Sequence, residues 1–212
     1  MWSPESLARI EVDGRRYYET PMGRLPSVTT VLSATDSAPQ QHGWDRSVGS
    51  RTAVRQAQAA AARGRQFHAQ LAAYLGEGRP PRGQTTYFQS LAWFLSRIED
   101  VLLVEAAVWH SAGFAGSVDC LARIDGQLTV IDWKTSTRSD PGERMAEHHA
   151  QVAAYRAAIS ERYGVPVERG WVVVAVPHRN ARIYEPEQPD RAWGDFLARL
   201  RRFHNQPQAP QP

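Results

Sequence analysis

The chain has 212 residues, 42% of them hydrophobic, with a net charge of +3, which is enough for one globular unit with a full core. Its single cysteine, Cys120, excludes an internal disulfide, a four-cysteine iron–sulfur cluster and a cysteine-based zinc site. No stretch approaches the roughly 18 apolar residues of a membrane span, and the start MWSPESLARIEVDGRR has no signal-peptide core, so a soluble, cytoplasmic protein without a membrane partner is expected.

In chain order, Asp13-Gly14 reads as a hairpin turn between RIEV and RRYYE. Next comes Pro26 to Leu32, where Ser27 is placed to cap a short helix, and Ser27, Thr29 and Thr30 supply hydroxyls beside backbone N–H groups that can hold a phosphate. A loop rich in Ser, Pro and Gln leads to a long alanine-rich helix from about Ser47 to Leu75, with a break expected near Gly64. Phe67, Leu71, Tyr74 and Leu75 form an apolar stripe on its second half, and His68 sits beside it. GEGRPPRG is a loop, and Gln84 to Ile98 reads as one amphipathic helix.

Three strands follow, Val101 to Trp109, Ala115 to Ile124 and Leu128 to Trp133, and then a helix from about Glu143 to Tyr163. Gly170 to Val176 is the most strand-like run and is expected to be a buried central strand. A last helix, about Arg191 to Phe203, precedes the tail NQPQAPQP. The order predicts an α/β core with a mixed central sheet flanked by helices, one domain over residues 1–204 and a disordered Gln/Pro tail over 205–212.

The chemistry collects in GFAGSVDCLARIDGQLTVIDWKT, Gly113 to Thr135. Asp125-Gly126 supplies the positive φ of a two-residue turn, and pairing Ile124 with Gln127 puts Asp119 opposite Asp132, with Lys134 on the face of Asp132. Two carboxylates facing across a strand pair at about 4.5–5.5 Å repel unless a cation lies between them, and hard Mg²⁺ or Mn²⁺ suits them. Cys120 points to the other face as a packed thiol.

Lys134 is the only lysine, the rest of the 25 Lys+Arg residues being arginine. Its compact ammonium can orient or help deprotonate an attacking water and stabilise developing negative charge, which arginine does poorly. The plainer alternative is a strand-end lysine in a salt bridge with Asp119 or Asp132.

Charge is uneven. From Arg46 to Arg82 seven arginines, Arg51, Arg55, Arg63 and Arg65 among them, face one acid, whereas from Glu99 to Glu147 nine acids face four bases. A basic arm beside an acidic, metal-collecting patch fits a polyanionic substrate cut with a metal; a solvated arginine-rich helix face is the bland reading of the arm.

In order, the chain carries Gly64 to His68, Glu105, Gly116 to Asp119, Asp132-Trp133-Lys134-Thr135 and Gln151 to Tyr155. This series, with Pro-Ser-Val-Thr-Thr-Val-Leu near the start, resembles the PD-(D/E)XK nucleases, and within them the RecB-like exonuclease branch that includes the mitochondrial genome maintenance exonuclease group. The resemblance covers Tyr17 to Val176. It implies a restriction-endonuclease-like core and a metal-dependent phosphodiesterase acting on DNA in repair, replication or recombination. It further implies Asp119, Asp132 and His68 as ligands of Mg²⁺ or Mn²⁺, Lys134 acting with the nucleophilic water, and a single strand with a free end passing the basic helices. Four-cysteine clusters occur in some relatives; one cysteine sets this chain apart from them.

Glu105 could face the metal patch, directly or through water, or pair with an arginine. Gln151 and Tyr155, one helical turn apart, either touch a nucleotide or buttress the hairpin. Of the adjacent His148 and His149, at most one can look into the site. The alternatives to an exonuclease are a sequence-independent endonuclease on the same scaffold and a non-catalytic nucleic-acid-binding module.

Overall fold

A computed structural model of the chain describes residues 2–36, 49–79, 81, 83–137 and 142–206. The arginines Arg46, Arg82 and Arg138, the side chain of Arg51 and most of the Gln/Pro tail fall outside the described residues.

Strands β1 (Ala8–Val12), β2 (Arg15–Thr20) and β3 (Gly23–Pro26) form a small antiparallel sheet in that order. Asp13 and Gly14 both take positive φ at the β1–β2 turn, as the Asp-Gly pair predicts. A short helix α1 (Val28–Ala34) follows, capped by Ser27, whose Oγ accepts from the Thr30 N–H at 3.0 Å.

Helix α2 (Gly49–Glu77) is continuous through Gly64, where a break was expected. The alanine-rich sequence around it has enough helical propensity to absorb the cost of one glycine, about 1 kcal/mol. The single helix expected over Gln84 to Ile98 is instead two one-turn helices, α3 (Thr86–Gln89) and α4 (Ala92–Leu95). Hydroxyls end both turns, with Ser90 Oγ donating to the Tyr87 carbonyl at 2.6 Å and Ser96 Oγ to the Trp93 carbonyl at 2.8 Å. The break lets Phe88, Leu91 and Phe94 all turn inward, and Phe94 packs edge-on against Trp133 and Trp171.

The main sheet has the order β4 (Ile98–His110), β5 (Phe114–Ile124), β6 (Gln127–Thr135), β7 (Arg169–Ala175) and β8 (Arg182–Tyr184). All neighbours are antiparallel except β6 and β7, which the crossover helix α5 (Met145–Tyr163) joins as a parallel pair. The buried run expected to be central is interior but fourth in order, because β8, too short to be read from sequence, covers its outer edge. Helices α1, α5 and α6 (Pro189–His204) cover one face of the sheet, and α2, α3 and α4 the other. The architecture is thus a mixed sheet flanked by helices, as expected. Among the described residues no helix is long and apolar enough to cross a membrane.

Two glycines let α5 lie against the sheet. A Cβ at Gly116 would come 2.6 Å from Tyr155 Cε1, and one at Gly170 would come 2.3 Å from Val152 Cγ1. Gly116→Ala is therefore expected to cost about 1–3 kcal/mol by overpacking and to displace the Tyr155 ring. Thermal melting checks this, and an unchanged melting temperature would contradict so close an approach.

Candidate metal and phosphoryl-transfer site

The hairpin register is the expected one, with Ile124 paired to Gln127 and each outward step matched as far as Cys120 and Ile131. There the two strands part. Beyond that point β5 stays with β4, while β6 continues beside β7 to Thr135. Asp119 and Asp132 sit at the fork.

Parting leaves the main-chain N–H and C=O of Trp133 without a β5 partner, and side chains supply both. Asp119 Oδ2 accepts from the Trp133 N–H at 2.9 Å, and His68 Nε2 lies 3.0 Å from the Trp133 carbonyl. One peptide segment thus positions a carboxylate from β5 and an imidazole from α2. Since a carbonyl only accepts, Nε2 carries the proton and a neutral ring presents a bare Nδ1 lone pair.

That Nδ1 faces Glu105 Oε1 at 3.5 Å and Asp119 Oδ1 at 3.7 Å. The ligand atoms of His68, Glu105 and Asp119 all lie within 4.8 Å of one another. Glu105 reaches them from an irregularity in β4. Its φ is 47°, and the ladder skips it between the pairs Val104–Cys120 and Ala106–Val118. A left-handed glutamate inside a strand is costly, and such outliers concentrate where backbone strain aims a functional group.

Asp132, expected to be a ligand beside Asp119 and His68, is turned to Lys134. Nζ donates to Oδ1 at 2.9 Å and lies 2.7 Å from Oδ2, with the carboxylate only 1% exposed. Lys134 also donates to Gln151 Oε1 at 3.4 Å, so α5 holds the ammonium from the far side. Gln151 is buried, and the Tyr155 ring lies along Gly116.

Burial and then the Asp132 carboxylate together push the Asp119 carboxyl up to about 7. For His68, burial works against the charged form, but the Glu105 and Asp119 carboxylates outweigh it and raise its pKa. Lys134 is likewise raised despite burial, by Asp132 and Asp119, and remains an ammonium. Burial, with Asp119 and Asp132, keeps Tyr155 a neutral phenol well above its ordinary range. Burial also raises the Cys120 thiol, which is packed and inert.

One nitrogen and two carboxylates facing one another form a set of acceptors that needs a cation, whether a proton or a metal. Nitrogen and oxygen donors in this combination fit Mn²⁺ and, through the carboxylates, Mg²⁺.

The residues expected to touch nucleic acid are dispersed. Ser27 and Thr30 are 2% and 5% exposed, because their hydroxyls clasp α1 to β2. Ser27 Oγ donates to Thr30 Oγ1 at 2.9 Å, and Thr30 Oγ1 both accepts from the Arg16 N–H and donates to the Arg16 carbonyl. The Ser27 and Thr30 hydroxyls are therefore not free to hold a phosphate; Thr29 is exposed, with its Oγ1 3.0 Å from Ser27 Oγ. Arg55, Arg63 and Arg65 are exposed, but at 3.6 residues per turn only Arg65 falls on the His68 side of α2. A single groove lined by all of them is not formed. Thr135 is half-buried at the end of β6, just past Lys134.

Residues 95–211, more than half of the chain, match the family model described as the PD-(D/E)XK nuclease superfamily. The chain is 32% identical over 200 residues to mitochondrial genome maintenance exonuclease 1 of Xenopus tropicalis, covering 85% of this chain and 58% of that protein. To the protein of the same name in Mus musculus it is 30% identical over 213 residues, covering 89% and 62%. To that of Homo sapiens it is 31% identical over 124 residues, covering 55% and 36%. The chain thus spans about six tenths of the length of the first two.

Proposed function

The chain belongs to the PD-(D/E)XK nuclease superfamily, and on that premise we propose that it is a divalent-metal-dependent exonuclease that hydrolyses phosphodiester bonds of DNA, preferring a single strand with a free end, in DNA repair, replication or recombination. The observation that carries this reading is the convergence of His68, Glu105 and Asp119 beside the Asp132–Lys134 pair.

In this reading His68, Glu105 and Asp119 hold Mg²⁺ or Mn²⁺, with Asp132 at the edge of the set. A bound divalent ion would supply Lewis-acid polarisation and a more acidic water. The residues do the rest. Trp133 fixes the orientation of two ligands through its main chain, and Glu105 is aimed by its backbone. Lys134 stays cationic, so it orients the attacking water and steadies charge growing on the phosphoryl oxygens, in preference to removing a proton. Gln151 and Tyr155 hold that ammonium and the β5 backbone in place. Arg65, with Arg55 and Arg63 further round the helix, supplies positive potential along the approach without reading bases.

Linear single-stranded DNA is expected to be trimmed to short products, a blunt duplex more slowly, and closed single-stranded circles not at all. Binding is expected to fall with added salt, and Arg65→Ala to flatten that slope by about one charge. Rapid cutting of circles would move the assignment to an endonuclease. Binding without cleavage of any form would leave a nucleic-acid-binding module.

A further inference from the structure

We propose that His148 is a substrate-contacting residue of this site, donating its ring N–H to a non-bridging oxygen of a phosphate next to the scissile one. The proposal rests on the nuclease reading above.

His148 lies in the first turn of α5, at positions i, i+3 and i+7 with Gln151 and Tyr155. Residues so spaced share a face, and this is the face that touches Lys134 and Gly116. His149 is turned away from it, to a cleft lined by Tyr184, Glu185, Glu187 and Asp195. Nδ1 of His148 is buried and has no hydrogen-bond partner. A buried polar atom left unpaired costs free energy unless a ligand or water completes it.

The surroundings select the ligand. The charged groups acting on the ring are Lys134 and Arg144, both cationic, and the Asp132 carboxylate, with His149 next in sequence. Asp132 accepts from Lys134 through Oδ1, and the ammonium, 2.7 Å from Oδ2, balances its charge, although Oδ2 has no hydrogen bond of its own. With the ring proton on Nδ1, that orphan N–H is matched by an anionic acceptor, which the positive charge of Lys134 and Arg144 also favours, and on the DNA strand that is a phosphate oxygen. Burial and then the Lys134 ammonium hold the His148 pKa down to about 4, so a neutral ring with one N–H is present at working pH. Neutrality matters because a second cation would compete with Lys134 for Asp132.

The experiment measures kcat and KM on an end-labelled single strand in Mn²⁺ for the wild type, His148→Ala and His148→Gln. A single neutral methylphosphonate is walked along the phosphates around the cut. His148→Ala is expected to lose roughly ten- to hundredfold in kcat/KM, mostly in KM, with partial recovery in His148→Gln. In the wild type one methylphosphonate position other than the scissile one should cause a comparable loss, and that position should become silent in His148→Ala. Melting temperature and its rise with Mn²⁺ should be unchanged in His148→Gln. If the wild type cleaves DNA and His148→Ala stays within twofold of it at every position, the inference is overturned alone. If the wild type cleaves no DNA, the nuclease reading falls and takes the inference with it.

Discussion

Lys134→Arg and Lys134→Gln are expected to lower kcat by roughly a hundred- to thousandfold while binding of a single strand stays within severalfold. The Lys134 head is confined between Asp132 Oδ1 at 2.9 Å, Oδ2 at 2.7 Å and Gln151 Oε1 at 3.4 Å. A planar, five-donor guanidinium is too large for that slot and would be forced outward, keeping charge near the site but losing its placement. Lys134→Ala is a poorer test, since it strands the buried Asp132 carboxylate and is expected to cost about 3–5 kcal/mol of stability. Turnover of Lys134→Arg within a fewfold of wild type, with normal melting, would remove the lysine from the chemistry and return it to a structural salt bridge.

Asp119→Asn has the second large expected effect, and it acts on stability and activity in opposite directions. The amide oxygen of asparagine can still accept the Trp133 N–H, so the fork keeps its shape while a buried charge facing Asp132 is removed. Without metal, the folded Asp119 pKa of about 7 lies above an unfolded value of roughly 4. The folded state then holds a proton that the unfolded state gives up, so stability falls as pH rises between those values. His68 adds to the same trend. Its raised pKa contributes stability below the unfolded value, and that contribution is lost as pH rises through the folded one. Metal-free wild type should therefore melt lower at about pH 8 than at about pH 5.5, and Mn²⁺ should raise the melting temperature most at the higher pH, where fewer protons compete. In Asp119→Asn the metal-free protein should melt higher than wild type at about pH 8, the Mn²⁺ rise should largely vanish, and turnover should fall by roughly a thousandfold. A full Mn²⁺ response in that variant would mean that Asp119 is not a ligand.

Much of this site is legible in the sequence because β-hairpin register is a local property. Asp125-Gly126 fixes the pairing of Ile124 with Gln127, and the two-residue period then puts Lys134 on the face of Asp132. Gly116 is legible as a motif position, but its physical reason, the Tyr155 ring lying on it, needs the helix in place. Three features are not local and carry no sequence signal. The parting of β5 from β6 depends on β7 holding one strand and β4 the other. The left-handed backbone at Glu105 is imposed by the sheet on a residue with no intrinsic preference for it. The division of Gln84 to Ile98 into two turns follows from packing Phe88, Leu91 and Phe94 around Trp133 and Trp171, which overrides the helical period of the segment.

The central claim is that His68, Glu105 and Asp119 bind the ion on which phosphodiester hydrolysis depends. The measurement is release of label from an end-labelled linear single strand by the wild-type chain, first in EDTA and then after excess Mg²⁺ or Mn²⁺ is restored, beside Glu105→Gln and Asp119→Asn treated identically. The account predicts no release in EDTA, recovery with either ion, and recovery in neither variant. Full release in EDTA would contradict it.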